Sequence, residues 1–203
     1  MKIKILKAFY TGLVLLSVMF LSLIYKNYNL QKEFYEKGNS LKQENKLIPA
    51  IDAYERVILA YIPLSPYNNK AISEIQNLCE KLTSYDRLYC LETLKAALFQ
   101  IQSFYQPYSQ IKEKTTEEII KLRTQLYMKD LNIPQAKEKE IFSIMDEITR
   151  KEFNPDKFWS FLVPITLIGW VGLVIAGIWY RKVYYFLGAG ISFIIWIISL
   201  YMA

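Results

Sequence analysis

The sequence contains no histidine, which removes the side chain that most often serves as a general base or a metal ligand. Glycine and proline are scarce, with seven of each in 203 residues, and no glycine-rich phosphate loop follows a predicted strand. The two cysteines are too few to hold a metal ion by themselves. We therefore expect a protein that is not an enzyme, with no catalytic residues, no metal site and no cofactor.

Acidic residues are missing from both ends of the chain. All 19 of them lie in residues 26–157 with 20 of the 25 basic residues, so this segment has a net charge of only +1. A surface that binds nucleic acid would need its basic residues clustered there without matching acids. The overall charge of +6 therefore does not predict nucleic-acid binding. The five remaining basic residues are Lys2, Lys4, Lys7, Arg181 and Lys182.

Three uncharged apolar stretches, residues 8–25, 158–180 and 183–202, are each long enough to cross a bilayer as a helix. The first ends at Tyr25-Lys26 without a small-residue cleavage motif, which favours an uncleaved signal anchor over a cleavable signal peptide. The last two are separated only by residues 181–182, and a hydrophobic hairpin lying parallel to the membrane is the alternative for them. We predict three transmembrane helices.

The unpaired basic residues predict the orientation of these helices. Residues 1–7 and the turn at 181–182 are expected on the cytoplasmic side, where lysine and arginine are enriched. With three spans both places lie on the same side of an inner (cytoplasmic) membrane. The domain formed by residues 26–157 and the C-terminus are then extracytoplasmic, and the domain is periplasmic in a bacterium with two membranes.

Small residues in the last two predicted spans indicate close helix packing. Gly172 and Ala176 are four residues apart and share one face of a helix. Two interpretations stay open: packing of the chain's own spans, or a docking face for a partner's transmembrane helix. No ionisable residue lies in any of the three stretches, which disfavours a proton relay. The residues concerned are Gly169, Gly172, Ala176, Gly188 and Ser192.

The segment between the first two spans is expected to be entirely helical, because no sustained alternation of apolar residues suggests strands. The predicted helices cover 27–43, Pro49 to about Tyr61, a third opened by Ser65-Pro66, a fourth after the break at 83–86, a fifth with a Thr115–Glu118 capping box, and a sixth from Pro134. In the sixth, the inward residues are expected to be Ile141, Ile144, Met145 and Ile148. The predicted fold class is therefore all-α, with a helical-hairpin domain inserted between the first and second spans.

The first predicted hairpin has the spacing of a known helical repeat. Counting from Gln31, Gly38 is eighth, Ala50 twentieth and Tyr54 twenty-fourth. In the tetratricopeptide repeat (TPR), a small residue at the eighth place lets two helices approach, and an alanine at the twentieth packs against it. Residues 31–63 thus resemble one degenerate TPR.

Two positions depart from this repeat: Phe34 stands where tryptophan is usual, and Pro63 arrives one place late. The resemblance implies a groove that binds a peptide or helix of a partner. An ordinary helical bundle that matches the spacing by chance is the alternative. The candidate partner-binding or repeat-packing residues are Gly38, Leu41, Ala50, Tyr54 and Tyr61.

Two further stretches, residues 50–67 and 97–111, are similar to segments of uncharacterised bacterial inner-membrane proteins. This similarity implies an inner-membrane location and brings no activity with it.

Cys79 and Cys90 lie at equal distances on either side of the break at 83–86. Equidistant residues of an antiparallel hairpin face each other, so a disulfide is geometrically possible. An extracytoplasmic domain would be in a compartment where disulfides persist. Two buried, reduced thiols fit the same spacing.

These features favour a non-enzymatic scaffold or accessory subunit of the inner membrane. Its partners are expected to be the lipid bilayer and unidentified membrane or envelope proteins, bound through the helical domain and the spans. The alternative is a subunit of a transport or channel complex that contributes helices to a shared pore.

Overall fold

The computed structural model describes residues 2–102, 106–151 and 157–202, with the side chains of 2–13, 15, 16 and 157 outside that description. These residues form eight α-helices and one short 3₁₀ helix, Gln135–Lys137, and they contain no strand. The all-α class is confirmed. The helices are α1 (Lys2–Gln43), α2 (Leu47–Leu59), α3 (Pro66–Lys81), α4 (Ser84–Gln100), α5 (Ser109–Asp130), α6 (Glu138–Arg150), α7 (Lys157–Tyr180) and α8 (Val183–Met202).

The helices belong to two compact units. The first contains α1 to α6 and the second contains α7 and α8. Within the first unit, α1 packs on α2, α2 on α3 and α4, and α5 on α4 and α6. This order of neighbours is that of successive antiparallel hairpins, as short turns between helices of similar length require.

Helix α1 is longer than the sequence suggested. It runs without a break from Lys2 to Gln43, so the predicted first span and the predicted helix 27–43 are one helix of 42 residues. Lys26, Asn27 and Tyr28 join the two parts and include neither proline nor glycine, so nothing in the backbone chemistry ends the helix there. At 1.5 Å per residue, α1 is about 63 Å long.

Local chemistry explains where α2 and α3 begin. Pro49 lies in the first turn of α2, where its missing N–H costs no hydrogen bond. The Ser65 hydroxyl accepts a hydrogen bond from the Tyr67 amide and caps α3, and Pro66 is the first residue of that helix. The start of α3 and the place of Pro49 in the first turn of α2 agree with the prediction, while α2 ends at Leu59 and not near Tyr61.

The predicted capping box of the fifth helix is wrong. Helix α5 already begins at Ser109, so Thr115 lies inside it. The Thr115 hydroxyl donates instead to the backbone carbonyl of Ile111, at 2.8 Å, in the way threonines within helices often do.

The sixth helix begins a turn later than predicted and faces inward less completely. Pro134 precedes the 3₁₀ turn, and α6 starts at Glu138. Ile141 is buried, but Ile144 is 44% exposed and Ile148 is 58% exposed. Only α5 packs along α6 to any extent in the described part of the chain, and one neighbour covers only part of a broad apolar face.

The core of the first unit lies among α2, α3 and α4, with α1 and α5 on its sides. Buried aliphatic residues recur at helical spacing in α3 and α4. The sequence spacing also aligns Tyr105 with the apolar face of the fourth helix, but Tyr105 lies outside the described residues. The largest buried side chains of this core include Tyr54, Ile51, Ile58, Ile72, Ile75, Leu78, Leu94 and Leu98.

Two described helices are long and apolar enough to cross a membrane: Phe158–Tyr180 within α7, and Val183–Met202. Few of their residues are buried in the protein. The predicted first span, residues 8–25, is helical, but the side chains of 8–13, 15 and 16 lie outside the described part. Its described apolar residues, such as Val18 and Phe20, are exposed.

Candidate functional site

The α1–α2 contact is built on Gly38. A methyl group placed on Gly38 would lie 2.6 Å from Cε1 of Tyr54, closer than packed carbon atoms approach. The Tyr54 ring is fully buried, and its hydroxyl donates to Oδ1 of Asn39 at 2.7 Å. Burial raises the pKa of Tyr54, and the charge of Glu74 adds to this shift. The absent side chain of Gly38 is what admits the ring.

Of the five candidate repeat residues, the structure brings four together. Gly38, Leu41, Ala50 and Tyr54 all lie at the α1–α2 packing, and Ala50 and Tyr54 have no exposed surface. The atoms nearest to the Gly38 position belong to Tyr54, so the aromatic ring fills the place expected for Ala50. Tyr61 lies in the loop after α2 and is half-buried.

A buried polar network that the sequence reasoning missed joins α1, α2 and α3. Gln31 is fully buried. Its Nε2 donates to the Val57 carbonyl at 3.1 Å and to Oδ1 of Asn68 at 2.7 Å, and its Oε1 accepts from the Ser65 hydroxyl at 2.6 Å. Gln31 lies seven residues before Gly38 and hence on the same face of α1, a signal that could have shown it to be buried.

Tyrosine rings continue outward from this network. Tyr35 contacts Tyr54 and Tyr67, with ring centroids 5.6 Å apart in each pair. Tyr28 meets the edge of Tyr67 at 5.5 Å. Such tilted and edge contacts are favoured by the charge distribution of aromatic rings. The cluster fixes the start of α3 against α1.

Cys79 and Cys90 form a disulfide that joins α3 to α4, with the Cα atoms 5.5 Å apart. Both residues are buried. Beside Cys79 is a cavity of about 180 Å³, whose polar lining includes Glu80, Arg87 and Glu118. The bridge closes the turn between the two helices in which most of the core residues lie.

Charged side chains link helices α4, α5 and α6. Arg123 of α5 pairs with Glu92 at 2.7 Å and donates to the Thr149 hydroxyl at 3.0 Å. Arg150 of α6 donates to Glu113 and Asp146, and these hydrogen bonds raise its pKa. Among the described residues, no group of three or more acidic or cysteine side chains could hold a metal ion.

Helix α6 presents apolar residues to solvent. Ile144, Ile148 and Phe142 are each more than one third exposed, while Ile141 and Thr149 of the same helix are buried. The exposed residues lie on both sides of the buried ones, which shows that the apolar face of α6 is wider than the part of it that α5 covers. Apolar surface of this kind often marks a place where another molecule binds.

The second unit is a hairpin of α7 and α8 held together by small residues. A methyl group on Gly169 would lie 3.2 Å from the Ser192 hydroxyl, and one on Gly177 would lie 2.9 Å from the Phe186 ring. The Ser192 hydroxyl donates to the Thr166 carbonyl at 2.9 Å.

The remaining small residues divide between the hairpin contact and its open side. Gly188 faces Leu173, at 3.5 Å from the position of an added methyl group. Gly172 has open space around it, and Ala176 is partly exposed. Gly169, Gly188 and Ser192 thus serve the contact within the hairpin, while Gly172 does not contribute to it.

Comparison with protein-family models, curated proteins and solved structures finds no match to this chain. The resemblance of residues 31–63 to a TPR therefore rests on their spacing.

Proposed function

We propose that this chain is a non-enzymatic scaffold or accessory protein of a bacterial inner membrane. It crosses the membrane three times and binds other membrane or envelope proteins through its helical domain and its spans. The domain of α1 to α6, without the first 25 residues, lies on the extracytoplasmic side.

The observation that carries this proposal is the continuity of α1. Residues 8–25 form an uncharged apolar segment, and the same helix contributes Gln31, Gly38 and Leu41 to the packed domain. A helix with both properties holds a folded domain at a fixed height above a bilayer. This arrangement suits a protein that displays a binding surface at a membrane.

Two features support the orientation. The basic residues without acidic companions lie at the N-terminus and at Arg181-Lys182, which favours the cytoplasm for both. The disulfide between Cys79 and Cys90 is stable in an oxidising compartment, and such compartments lie outside the cytoplasm.

The topology is tested by reporter fusions in the full chain. Alkaline phosphatase fused after Ala203 should be active, whereas the same enzyme inserted between Arg181 and Lys182 should be inactive. A fluorescent protein that matures only in the cytoplasm should give the opposite pattern. A cytoplasmic C-terminus would refute the proposed orientation.

The exposed apolar side of α6 is the surface we assign to a protein partner. Ile144 and Ile148 are about half exposed, so the described residues of the domain cover them only in part. An apolar helix or groove of another envelope protein would remove this surface from water, at about 25 cal/mol per Å² of apolar area.

Partner binding is tested by affinity capture of the tagged full chain after mild detergent extraction. We expect stoichiometric partners with the parent chain and their loss with Ile144→Glu plus Ile148→Glu. Ser143→Glu adds a charge at an exposed polar site of α6 and is the matched control. Capture of no stoichiometric partner by the parent chain would argue against a scaffold.

The alternative of a pore-lining subunit receives no comparable support. The hydroxyls of Thr166, Ser192 and Ser199, in α7 and α8, each donate to a backbone carbonyl within the hairpin. The protons of these hydroxyls are therefore engaged by the backbone of the hairpin itself.

A further inference from the structure

The first step concerns the height of each part of the domain above the bilayer. If the span ends near Tyr25, helix α1 lifts Asn27 about 3 Å and Gln31 about 9 Å beyond that point. The opposite end of the α1–α2 hairpin, at Gln43, lies about 27 Å beyond it. Elements that contact the first part of this stretch lie next to the headgroups.

The loop between α2 and α3, residues 60–65, is held at this lower end. The Ser65 hydroxyl donates to Gln31, and Nδ2 of Asn68 donates to the Ile62 carbonyl at 2.7 Å. An open groove of about 430 Å³ beside the loop is lined partly by Asn27 and by Ala60. The loop is therefore fixed within a few residues of the end of the apolar segment.

The composition of this loop does not suit water. No charged residue occurs from Val57 to Asn69. At the tip, Leu64 is fully exposed and has a φ of 67°, a left-handed conformation that costs energy for a leucine. Asparagine, which tolerates this conformation better, occupies it in two other turns of the domain, at Asn45 and Asn132.

Basic residues border the uncharged stretch. Arg56 precedes it and Lys70 follows it, and both are exposed. Lys26 is exposed on α1, one residue after the end of the apolar segment. Cations at this level would face lipid phosphates, while the apolar tip would enter the boundary between headgroups and acyl chains.

We propose that residues 60–65 form a membrane-contact site in which Leu64 enters the bilayer surface and the neighbouring lysine and arginine residues face lipid phosphates. The ligand is the lipid surface itself. This inference rests on the proposed first span. It adds a point of attachment beside α1, which fixes the rotation of the domain about that helix.

The test uses the full chain in vesicles of phosphatidylcholine and phosphatidylglycerol. Single variants Leu64→Cys, Asn45→Cys and Val18→Cys are labelled with the fluorophore NBD, and nitroxide lipids serve as quenchers. The native cysteines are bonded to each other and buried, so they do not take the label. Asn45 is the matched control because it is an exposed turn residue with a φ of 59° at the far end of the hairpin.

We expect NBD at position 64 to show a blue-shifted emission and to lose fluorescence to nitroxides near the headgroups. NBD at position 18 should lose fluorescence to nitroxides deep in the bilayer. NBD at position 45 should be quenched neither by nitroxides near the headgroups nor by those deep in the bilayer. Quenching at 18 with none at 64 would overturn the membrane-contact site while leaving the span intact. No quenching at 18 would overturn the first span, and the contact site with it.

Discussion

The contact between Gly38 and Tyr54 depends on the absence of a methyl group. In most helix interiors, replacing glycine by alanine stabilises a protein, because alanine is the better helix former. Here Gly38→Ala should lower the free energy of unfolding by about 1–3 kcal/mol, since the added carbon would overlap the buried ring. Guanidinium titration of the full chain in detergent, followed by circular dichroism, measures the change.

Ser40→Ala is the matched control for this substitution, because Ser40 is exposed on the same helix. It should leave the free energy of unfolding within about 0.5 kcal/mol of the parent value. Equal stability of Gly38→Ala and the parent would show that the ring has room to move aside.

The hydroxyl of Tyr54 gives the domain a dependence on alkaline pH. Burial raises the pKa of Tyr54 in the folded protein, whereas the unfolded chain has an ordinary tyrosine pKa of about 10. Above that pH the folded state therefore holds more protons than the unfolded state, and the free energy of unfolding falls as the pH rises. Tyr54→Phe removes this titration. Between about pH 9 and pH 11, its free energy of unfolding should therefore fall less than that of the parent chain.

Three other described tyrosines of the domain titrate in the same direction. Burial raises the pKa of Tyr67, and the hydroxyls of Tyr85 and Tyr89 donate to Asp130 and Asp52, which raises their pKa values. These tyrosines are present in the parent chain and in Tyr54→Phe, so their effect on the pH dependence cancels when the two are compared. Tyr127→Phe, a change at an exposed tyrosine of α5, is the control. An identical alkaline loss in Tyr54→Phe and the parent would contradict the assignment to Tyr54.

The disulfide between α3 and α4 should make a large contribution to the stability of the helical domain. Cys79 and Cys90 are 11 residues apart, and a bridge over a loop of this size restricts the unfolded chain by about 3 kcal/mol. Reduction with a thiol reagent should therefore lower the guanidinium midpoint of unfolding.

The variant with both Cys79→Ser and Cys90→Ser should unfold near the midpoint of the reduced parent, and the reagent should not change it further. A parent chain whose midpoint is the same with and without the reagent would show that the bridge does not stabilise the domain.

The helix starts that the sequence predicted best are set by local chemistry. Pro49, Ser65 and Pro66 restrict the backbone or satisfy free amides within a few residues, so their effect is visible without a fold. The continuity of α1 was missed because a change of polarity at Lys26 suggests a boundary. A helix ends where its backbone can no longer continue the helical hydrogen bonds, and a change of polarity along the sequence does not by itself cause this.

The arrangement between helices was harder to predict. A capping-box spacing at Thr115 also fits a threonine inside a helix, where its hydroxyl bonds to the carbonyl four residues earlier. The apolar face of α6 was recognised, but its partial cover depends on which helices pack there. Gln31 was overlooked because a buried polar residue is revealed by its partners, and those lie 26, 34 and 37 residues away.

Small residues have different roles in the two units of the chain. In the helical domain, Gly38 admits an aromatic ring into a core of aliphatic residues. In the hairpin of α7 and α8, Gly169 and Gly188 let two apolar helices approach each other directly. The first use depends on burial from water, and the second is the kind of packing that helices adopt in lipid.

Across the molecule, α1 should behave as one rigid rod. Spin labels on Val18→Cys and Ser40→Cys are 22 positions apart and should give a narrow distance distribution centred near 33 Å by electron paramagnetic resonance. Asn27→Pro, between the two labels, should broaden this distribution, because proline removes a helical hydrogen bond and clashes with the preceding turn. Asn27→Ala is the control and should keep the narrow distribution. A broad distribution in the parent chain would show a joint within α1.

The Gln31 network also keeps the domain fixed around α1. A single glutamine bonds to groups on α2 and at the start of α3, so both helices keep one rotational position around the rod. If α1 crosses the bilayer, any tilt of its apolar segment tilts the whole domain by the same angle. Such tilt is how a span adapts to a bilayer thinner than its own apolar length. The direction in which the domain faces neighbouring proteins would then follow the thickness of the membrane around it.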